Sequence, residues 1–251
     1  MPWPRLREAA VVADGAGYGA LWVFDHVAGV SVRGDTMLEA FTLLGALAAS
    51  TERIALGSLV INVAHRAAAI TAVAAASVTA VSGRPFFLGL GAGSSPSSRW
   101  SAELRAVGQP IEPLLPRRHA HVEQVIDTCR RLWADDRAPE LATVPRPSPP
   151  TEIHVGVGSV ALATLAGRLA DAVNVAWFHP GRDDLVRAAR TAAERADRRR
   201  PLGLTTYVPW DAGLLDPGHP ERRAMSVAGI DRMILLVRDA DLATLAAGPA
   251  T

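Results

Sequence analysis

The sequence predicts an α/β protein with a parallel β-sheet, and two observations support this prediction. Short apolar runs, which are typical of buried strands, alternate along the chain with longer segments of helical periodicity. Because a strand, a crossover helix and the next strand form a parallel unit, this alternation predicts a parallel sheet covered by helices. The second observation is length, since 251 residues can bury a large core, as one α/β barrel or as two small domains.

The clearest strand is the run FFLGLGAG at residues 86–93, which follows the turn signal SGRP. Gly91 and Gly93 let the chain turn sharply there and let a bulky ligand approach the main chain. The other predicted strands are 21–24, 53–61, 153–157, 172–176, 204–208 and 232–237. The predicted helices are 3–17, 36–50, 67–81, 116–133, 160–169, 183–199 and 220–228. Residues 94–112 are predicted to form a long loop, and residues 138–151 a proline-rich connector.

Composition excludes several classes of function. A formal net charge of +1 gives no reason to expect a nucleic-acid partner. No apolar run is long enough for a membrane span and no export signal is visible, so we expect a cytoplasmic protein. All 26 Lys and Arg residues are arginine, which rules out lysine chemistry. The single cysteine, Cys129, rules out an internal disulfide and a multi-cysteine metal site; we expect it to be buried, and predict no metal.

Polar residues and glycines follow most of the predicted strands, whereas the strand starts carry mainly arginine and turn formers. Ligands of parallel (β/α) barrels bind at the carboxyl ends of the strands, so this asymmetry predicts a binding site at that end. The residues concerned are Asp25, His26, Asn62, Gly91–Ser94, Gly156–Ser159, Trp177, His179, Trp210 and Asp211.

Several of these residues also have a purely structural interpretation, which the sequence leaves open. His26 can transfer a proton near neutral pH, or it can hydrogen-bond to a neighbouring loop. The turn at residues 91–93 can offer backbone N–H groups to a phosphate or a ring, or it can be only a tight turn. Ser159 can help to bind an anion at the start of a helix, or it can be the N-cap of that helix.

The same choice applies to the tryptophans and to one arginine. Trp100, Trp177 and Trp210 can line a flat substrate or belong to the core. Arg66, which follows His65 at the start of the Ala-rich helix, can face acidic groups of a ligand or solvent, and we favour solvent.

Six stretches of the chain together resemble the luciferase-like monooxygenase superfamily, which includes flavin- and deazaflavin-dependent enzymes. They run in the family order and cover most of the chain. The combination of the DH pair, ASTERIALG and GLGAG is specific, although each motif alone is not. The stretches are GYGALWVFDH (17–26), EAFTLLGALAASTERIALGSLVINV (39–63), SGRPFFLGLGAG (82–93), RRHAHVEQVIDTCRRLW (117–133), LAGRLADAVNV (165–175) and GIDRMILLV (229–237). The resemblance implies a single TIM (β/α)8-type barrel domain over residues 1–251, lacking the first strand and most of the last helix.

Within that superfamily, the pair Asp25–His26 resembles the branch that uses the deazaflavin coenzyme F-420 (also written F420). The resemblance implies that both residues are catalytic and lie beside the cofactor, with His26 managing a proton near the reactive ring. It also implies a cis non-proline peptide bond at Leu59–Val60. The implied cofactor-binding residues are Leu59, Val60, Asn62, Gly91, Ala92, Gly93, Gly156, Gly158 and Ser159, and the predicted substrate-binding residues are Trp100, Trp177, His179 and Trp210.

We therefore predict an oxidoreductase that transfers a hydride between coenzyme F-420 and an unknown small organic substrate, with a homodimer as one allowed assembly. Two alternatives stay open: an FMN-dependent monooxygenase, and a catalytically silent barrel that binds a cofactor or a partner. The chain also departs from the family. Ser94 and Ser95 stand where some relatives have an acidic residue, and only Arg66, Arg84 and Arg99 are predicted to be available for an acidic cofactor tail.

Overall fold

The computed structural model describes residues 2–32, 36–196, 198, 200–237 and 242–249. Within these ranges helices and strands alternate as predicted, starting with a helix. The strands are β1 (Ala20–Val23), β2 (Ala55–Ser58), β3 (Ile61–Asn62), β4 (Phe86–Gly91), β5 (Glu152–Gly156), β6 (Ala172–Ala176), β7 (Gly203–Pro209) and β8 (Arg232–Leu236). The α-helices are α1 (Trp3–Gly15), α2 (Ala40–Ser50), α3 (Ala68–Ser82), α4 (Ala102–Ala106), α5 (Leu115–Trp133), α6 (Val160–Leu169), α7 (Arg182–Glu194), α8 (Pro220–Val227) and α9 (Leu242–Ala246).

All strand pairs are parallel and the strands lie in the order β1-β2-β4-β5-β6-β7-β8, with β3 paired to the end of β4. This is the predicted (β/α) barrel arrangement, in which each crossover helix covers the outside of the sheet. Among the described residues, β1 pairs only with β2 and β8 only with β7. The barrel is therefore nearly closed, with a gap between β1 and β8.

Four predicted segments differ from the structure. The strand predicted at 53–61 is split into β2 and β3 by a cis peptide bond at Leu59–Val60, as the resemblance implied for these two residues. The helix predicted at 36–50 begins at Ala40, because the Glu39 side chain accepts a hydrogen bond from the backbone N–H of Thr42 and caps the helix there. The loop predicted at 94–112 contains α4, and residues 197 and 199 of the helix predicted at 183–199 lie outside the described residues.

The core lies between the sheet and its helices and is densest around β4. All six residues of β4 are buried, and the alanines of α3 let this helix pack closely with its neighbours. Cys129 on α5 belongs to the same core, and burial raises the pKa of its thiol to about 12. The expectation that this cysteine is buried is confirmed, and its thiol is an inert core group.

A cavity of about 630 Å³ lies in the gap between β1 and β8. Side chains of α1, β1, β8 and α9 line it, and most of them are apolar. Helix α9 packs against α1 beside this gap through Leu245, which contacts a small cluster around Ala13 and Ile54. Within the described ranges, no helix combines the length and the apolar character that crossing a membrane requires.

Candidate functional site

The carboxyl ends of β1, β3 and β4 meet at one rim of the barrel. Asn62 of β3 lies beside Gly91 of β4 in the parallel register, and the Asn62 backbone N–H donates to the Asp25 carboxylate at 3.0 Å. The structure therefore brings together three of the strand ends that the sequence singled out. The other residues of the candidate site surround these contacts.

Asp25 is the buried anchor of this rim. One carboxylate oxygen accepts from Arg66 at 2.7 Å, and the other accepts from Arg66 at 2.7 Å, from Asn62 and from the His65 ring at 3.1 Å. Burial opposes ionisation of this carboxyl, but the hydrogen bonds from Arg66 and His65 outweigh it and lower the pKa of Asp25 to about 2. Asp25 is thus a fixed negative charge that holds the segment after β3.

Arg66 does not face solvent, and the expectation that it would is wrong. Its side chain is 15% exposed, and it pairs with both Asp25 and Glu39. Burial opposes the charge on the guanidinium, but Asp25 and Glu39 together raise the pKa of Arg66 above its usual range. This arginine is committed to the protein and is not available for an acidic cofactor tail.

A chain of hydrogen bonds runs from Asp25 through His65 to Asn62, which lies beside the glycine turn after β4. The His65 Nδ1–H donates to the Asp25 carboxylate, so the Nε2 atom is an acceptor and takes a hydrogen bond from the Asn62 amide at 2.8 Å. The Asn62 amide in turn lies against Gly93, where an added Cβ would be only 2.8 Å from the amide oxygen. Gly93 has φ +68°, so glycine is required here for both conformation and space.

His26 is oriented by a residue that the sequence did not single out. Its Nδ1 atom lies 2.7 Å from the Glu103 carboxylate, which also accepts from the backbone N–H groups of Val27 and Ala28 at 3.0 and 3.1 Å. Glu103 is buried on α4, whereas the side chain of His26 is 20% exposed. The Nε2 edge of the imidazole is consequently the one left for a bound molecule.

Two aromatic rings flank this imidazole. The ring centroids of Phe24 and Trp100 lie 6.0 and 6.1 Å from that of His26, and both side chains are exposed. The Arg99 guanidinium stacks on Trp100 at 4.2 Å from the ring centroid. Exposed aromatic side chains at a strand-end rim favour a flat ligand.

The Val60 side chain, which follows the cis peptide bond at Leu59–Val60, lies against Gly91 and Gly156. Added Cβ atoms at Gly91 and Gly156 would lie 2.4 and 3.1 Å from Val60 methyl groups. Both glycines are therefore needed to make room for Val60, which forms part of the floor between β4 and β5. Leu59 is buried and donates its backbone N–H to Val23 on β1.

The turn after β5 combines a helix cap with open space. The Ser159 hydroxyl accepts from the backbone N–H of Leu162 at 3.3 Å, so Ser159 is the N-cap of α6. A Cβ added at Gly158 would meet nothing within 4 Å. A bound molecule can therefore approach the main chain at Gly158.

A second, smaller cavity of about 270 Å³ adjoins the turn after β4. Its lining includes Ala92, Gly93, the acidic Glu112 and three basic side chains of α5. These are Arg117, Arg118 and His121. Among the described residues the buried Nε atom of Arg118 has no hydrogen-bond partner, whereas its Nη1 atom donates to the Glu112 carbonyl at 3.1 Å.

Three predicted substrate residues lie away from His26 or inside the protein. Trp177 is 5% exposed, donates its indole N–H to Glu221 and has the Arg182 guanidinium over its ring, and its place in a substrate wall stays a prediction. Trp210 packs in the cluster beside α9 and lines the β1–β8 cavity. The His179 ring accepts from the backbone N–H of Gly181 in the turn after β6.

Sequence analysis missed Glu103, because it lay in a segment predicted to be a loop. The only signal was the short helical pattern SAELRA around it. Two of the three arginines predicted to be available for an acidic cofactor tail are engaged within the protein. Arg84 is buried and donates to the Ala48 carbonyl. Arg66 is paired with Asp25 and Glu39. Arg99 alone of the three remains at the rim.

Comparison with known families shows which family this sequence matches. The sequence profile of the luciferase-like monooxygenase family matches residues 1–210. The chain belongs to the luciferase-like monooxygenase family. The superfamily resemblance drawn from the six sequence stretches is thereby confirmed.

Among curated relatives, the F420-dependent glucose-6-phosphate dehydrogenase of Nakamurella multipartita is 27% identical over 209 residues, which are 78% of this chain and 59% of the relative. The enzyme of the same name from Beutenbergia cavernae is 30% identical over 179 residues, 67% of this chain and 51% of the relative. The chain thus spans between half and three-fifths of the length of these relatives.

Solved structures confirm the fold of this luciferase-like chain. An F420-dependent secondary alcohol dehydrogenase in complex with an F420–acetone adduct superposes with a TM-score of 0.79 at 16% identity, over 97% of this chain and 92% of the other. A coenzyme F420-dependent tetrahydromethanopterin reductase from Methanopyrus kandleri gives 0.63 at 18% identity, over 92% and 73%. The predicted TIM-type barrel is confirmed.

Proposed function

We propose that this chain is an oxidoreductase that transfers a hydride between coenzyme F-420 and a small organic substrate. The observation that carries the proposal is the setting of His26, a partly exposed imidazole fixed by a buried carboxylate and flanked by two exposed aromatic rings. Such a group can take up or release a proton at the place where a flat cofactor would lie. The relatives named above as F420-dependent support the choice of cofactor.

The residues at the rim fit a flat ring system with an anionic tail. Phe24 and Trp100 offer ring faces next to His26, and Gly158 leaves its main chain open to a ligand. The cavity beside Gly93 is lined by Arg117, Arg118 and His121 as well as by Glu112, so its positive charge exceeds its negative charge and suits an anionic group. These features support our proposal that Gly93 and Gly158 lie along the cofactor.

When bound, coenzyme F-420 supplies a ring carbon that accepts or donates a hydride. Oxidation of the substrate releases a hydride and a proton, and we assign the proton to the Nε2 atom of His26; in the reverse direction His26 returns it. Trp100 and Phe24 present their rings beside His26, where the flat ring system would lie. Asp25 has its oxygens occupied by Arg66, His65 and Asn62, so its proposed part is to position the segment after β3.

The rest of the proposal concerns the whole chain. We propose that residues 1–251 form one domain, that the protein is cytoplasmic, and that the assembly can be a homodimer. The substrate is left as a small organic molecule. Glucose 6-phosphate and a secondary alcohol are the first to test, because the relatives act on them.

The first experiment titrates the purified protein with coenzyme F-420 and with FMN while cofactor fluorescence is recorded. We expect saturable binding of coenzyme F-420. His26→Ala should leave this binding within a few-fold of wild type but lower the rate of cofactor reduction by roughly 10²–10⁴-fold, the usual contribution of a general acid or base.

His219→Asn is the matched control, because it removes an imidazole outside the proposed site, and asparagine can still cap α8 as the His219 ring does. Tight FMN binding without F-420 binding would instead support a flavin-dependent monooxygenase. Cofactor binding without reduction by any tested substrate would support a catalytically silent barrel. If the His26→Ala protein has wild-type turnover, the imidazole of His26 takes no part in the reaction.

A further inference from the structure

Glu103 makes two kinds of contact with the strand end of β1. One carboxylate oxygen accepts from the backbone N–H groups of both Val27 and Ala28, at 3.0 and 3.1 Å. The other oxygen lies 2.7 Å from the Nδ1 atom of His26. Glu103 is 3% exposed, so water does not compete for these contacts.

The two backbone contacts fix the roles of the carboxylate atoms. A backbone N–H can only donate, so the oxygen that faces Val27 and Ala28 must be an acceptor. An ionised carboxylate has no proton to give, so both of its oxygens are acceptors. The oxygen that faces His26 is then an acceptor as well, and the proton of that hydrogen bond must lie on Nδ1.

We propose that Glu103 is a positioning residue that fixes the tautomer of His26. In the neutral imidazole the proton lies on Nδ1, and Nε2 carries a free lone pair on the edge that Glu103 leaves open. The assignment of the tautomer does not depend on any cofactor. Its catalytic consequence, that Nε2 is ready to accept a proton from the substrate, rests on the function proposed above.

The variant Glu103→Gln tests the proposal directly, because glutamine has nearly the same shape as glutamate but only one acceptor oxygen. Val27 and Ala28 require that oxygen, so the glutamine NH₂ group must face His26. An NH₂ group can only donate, so Nδ1 of His26 must become an acceptor and its proton must move to Nε2. The substitution is therefore expected to reverse the tautomer while keeping all the contacts.

The test is nitrogen NMR of protein labelled with ¹⁵N-histidine, without cofactor, at a pH of about 9 where an ordinary imidazole is neutral. His26→Ala identifies the His26 signals by their loss. In wild-type protein we expect Nδ1 of His26 to be protonated and Nε2 unprotonated, and in Glu103→Gln the opposite. Glu221→Gln is the matched control: it changes another carboxylate bonded to an aromatic N–H, that of Trp177, and should leave the His26 signals unchanged.

Wild-type protein with its proton on Nε2, or a Glu103→Gln protein that keeps the wild-type pattern, would overturn the proposal. If Glu103→Gln does not fold, the wild-type spectrum still decides the tautomer, and Glu103→Asp tests the dependence on reach. Turnover is a separate measurement. A reversed tautomer with unchanged F-420 binding and at least a tenfold lower turnover supports both proposals, whereas a reversed tautomer with unchanged turnover supports this one and removes His26 from the proposed reaction.

Discussion

At the scale of single residues, the contact that most affects stability at the rim is the ion pair between Asp25 and Arg66. Both side chains are largely buried, and Asp25 accepts hydrogen bonds on each of its oxygens. Because the folded protein holds the pKa of Asp25 at about 2 while the unfolded chain has the ordinary value of 3.8, ionised Asp25 stabilises the fold above pH 4. That contribution, about 2 kcal/mol, is lost as the pH falls from about 4 to about 2.

We expect Asp25→Asn to lower the free energy of unfolding at pH 7 by roughly 3 kcal/mol, since it leaves the buried Arg66 with Glu39 as its remaining partner. The difference from wild type should shrink as the pH falls from 4 to 2, because the unfolded wild-type chain binds a proton at Asp25 in this range whereas the folded protein does so only at about pH 2. Urea unfolding at several pH values measures both effects. Asp183→Asn, at an exposed position, is the control and should change stability by less than about 0.5 kcal/mol. A constant difference across this pH range would show that the Asp25 charge does not stabilise the fold.

The same residues show how far the sequence alone determines the site. Asp25, His26, Asn62 and Gly93 were predicted because each directly follows or ends an apolar strand, and parallel topology brings strand ends together. Glu103 could not be predicted in this way, because its partner His26 is 77 residues away and only the fold joins them. For a related reason, the position of Trp177 after a strand does not tell whether its indole faces the rim or the core.

At the scale of elements, close packing between α6 and α7 depends on one glycine. A Cβ added at Gly167 would lie 2.1 Å from the Ala189 carbonyl oxygen, which is backbone and cannot move aside easily. Gly45 in α2 has the opposite setting, since an added Cβ there would meet nothing within 4 Å. The two positions therefore separate the packing role of a helical glycine from its effect on helix propensity.

We expect Gly167→Ala to destabilise the protein by roughly 1–3 kcal/mol through overpacking between α6 and α7. Gly45→Ala should instead stabilise it by about 0.5–1 kcal/mol, because alanine loses less conformational entropy than glycine in a helix. Urea unfolding of both variants measures the difference. If both substitutions stabilise the protein, α6 can shift away from α7 and the predicted contact does not limit packing.

The sequence predicted an element well where the spacing of its apolar residues and the length of the segment indicated the same structure. Helix α6 and strand β6 are examples, and their predicted bounds match the structure. The segment 53–61 was predicted as one strand because its apolar run is continuous, and no local pattern shows where the run divides into β2 and β3. The α4 helix has only five residues, too few for periodicity to distinguish it from a loop. The missed features are thus short ones that tertiary contacts hold in place.

At the scale of the whole molecule, the local stability of the strands against opening should be highest at β4 and lowest at β1 and β8, which border the gap. All six residues of β4 are buried, whereas three of the four residues in β1 and four of the five in β8 are only partly so. Unpaired strand edges exchange with solvent more easily than paired ones. In the described part of the chain, α1 and α9 pack together beside this gap, with Leu245 as the buried contact.

We expect Leu245→Ala to weaken this contact by about 2 kcal/mol, at the lower end of the range for buried leucine because the cluster is small. Amide hydrogen exchange in β1 and β8 should then be roughly 30-fold faster, while exchange in β4 should stay at the wild-type rate. Val227→Ala, at a position that is 90% exposed, is the control and should change neither. Labelling of the buried Cys129 thiol reports opening of the central core, and it should be as slow in Leu245→Ala as in wild type. Equal acceleration in β1, β4 and β8, with faster Cys129 labelling, would instead mean that the barrel opens as one unit and that the β1–β8 gap is no weaker than the rest.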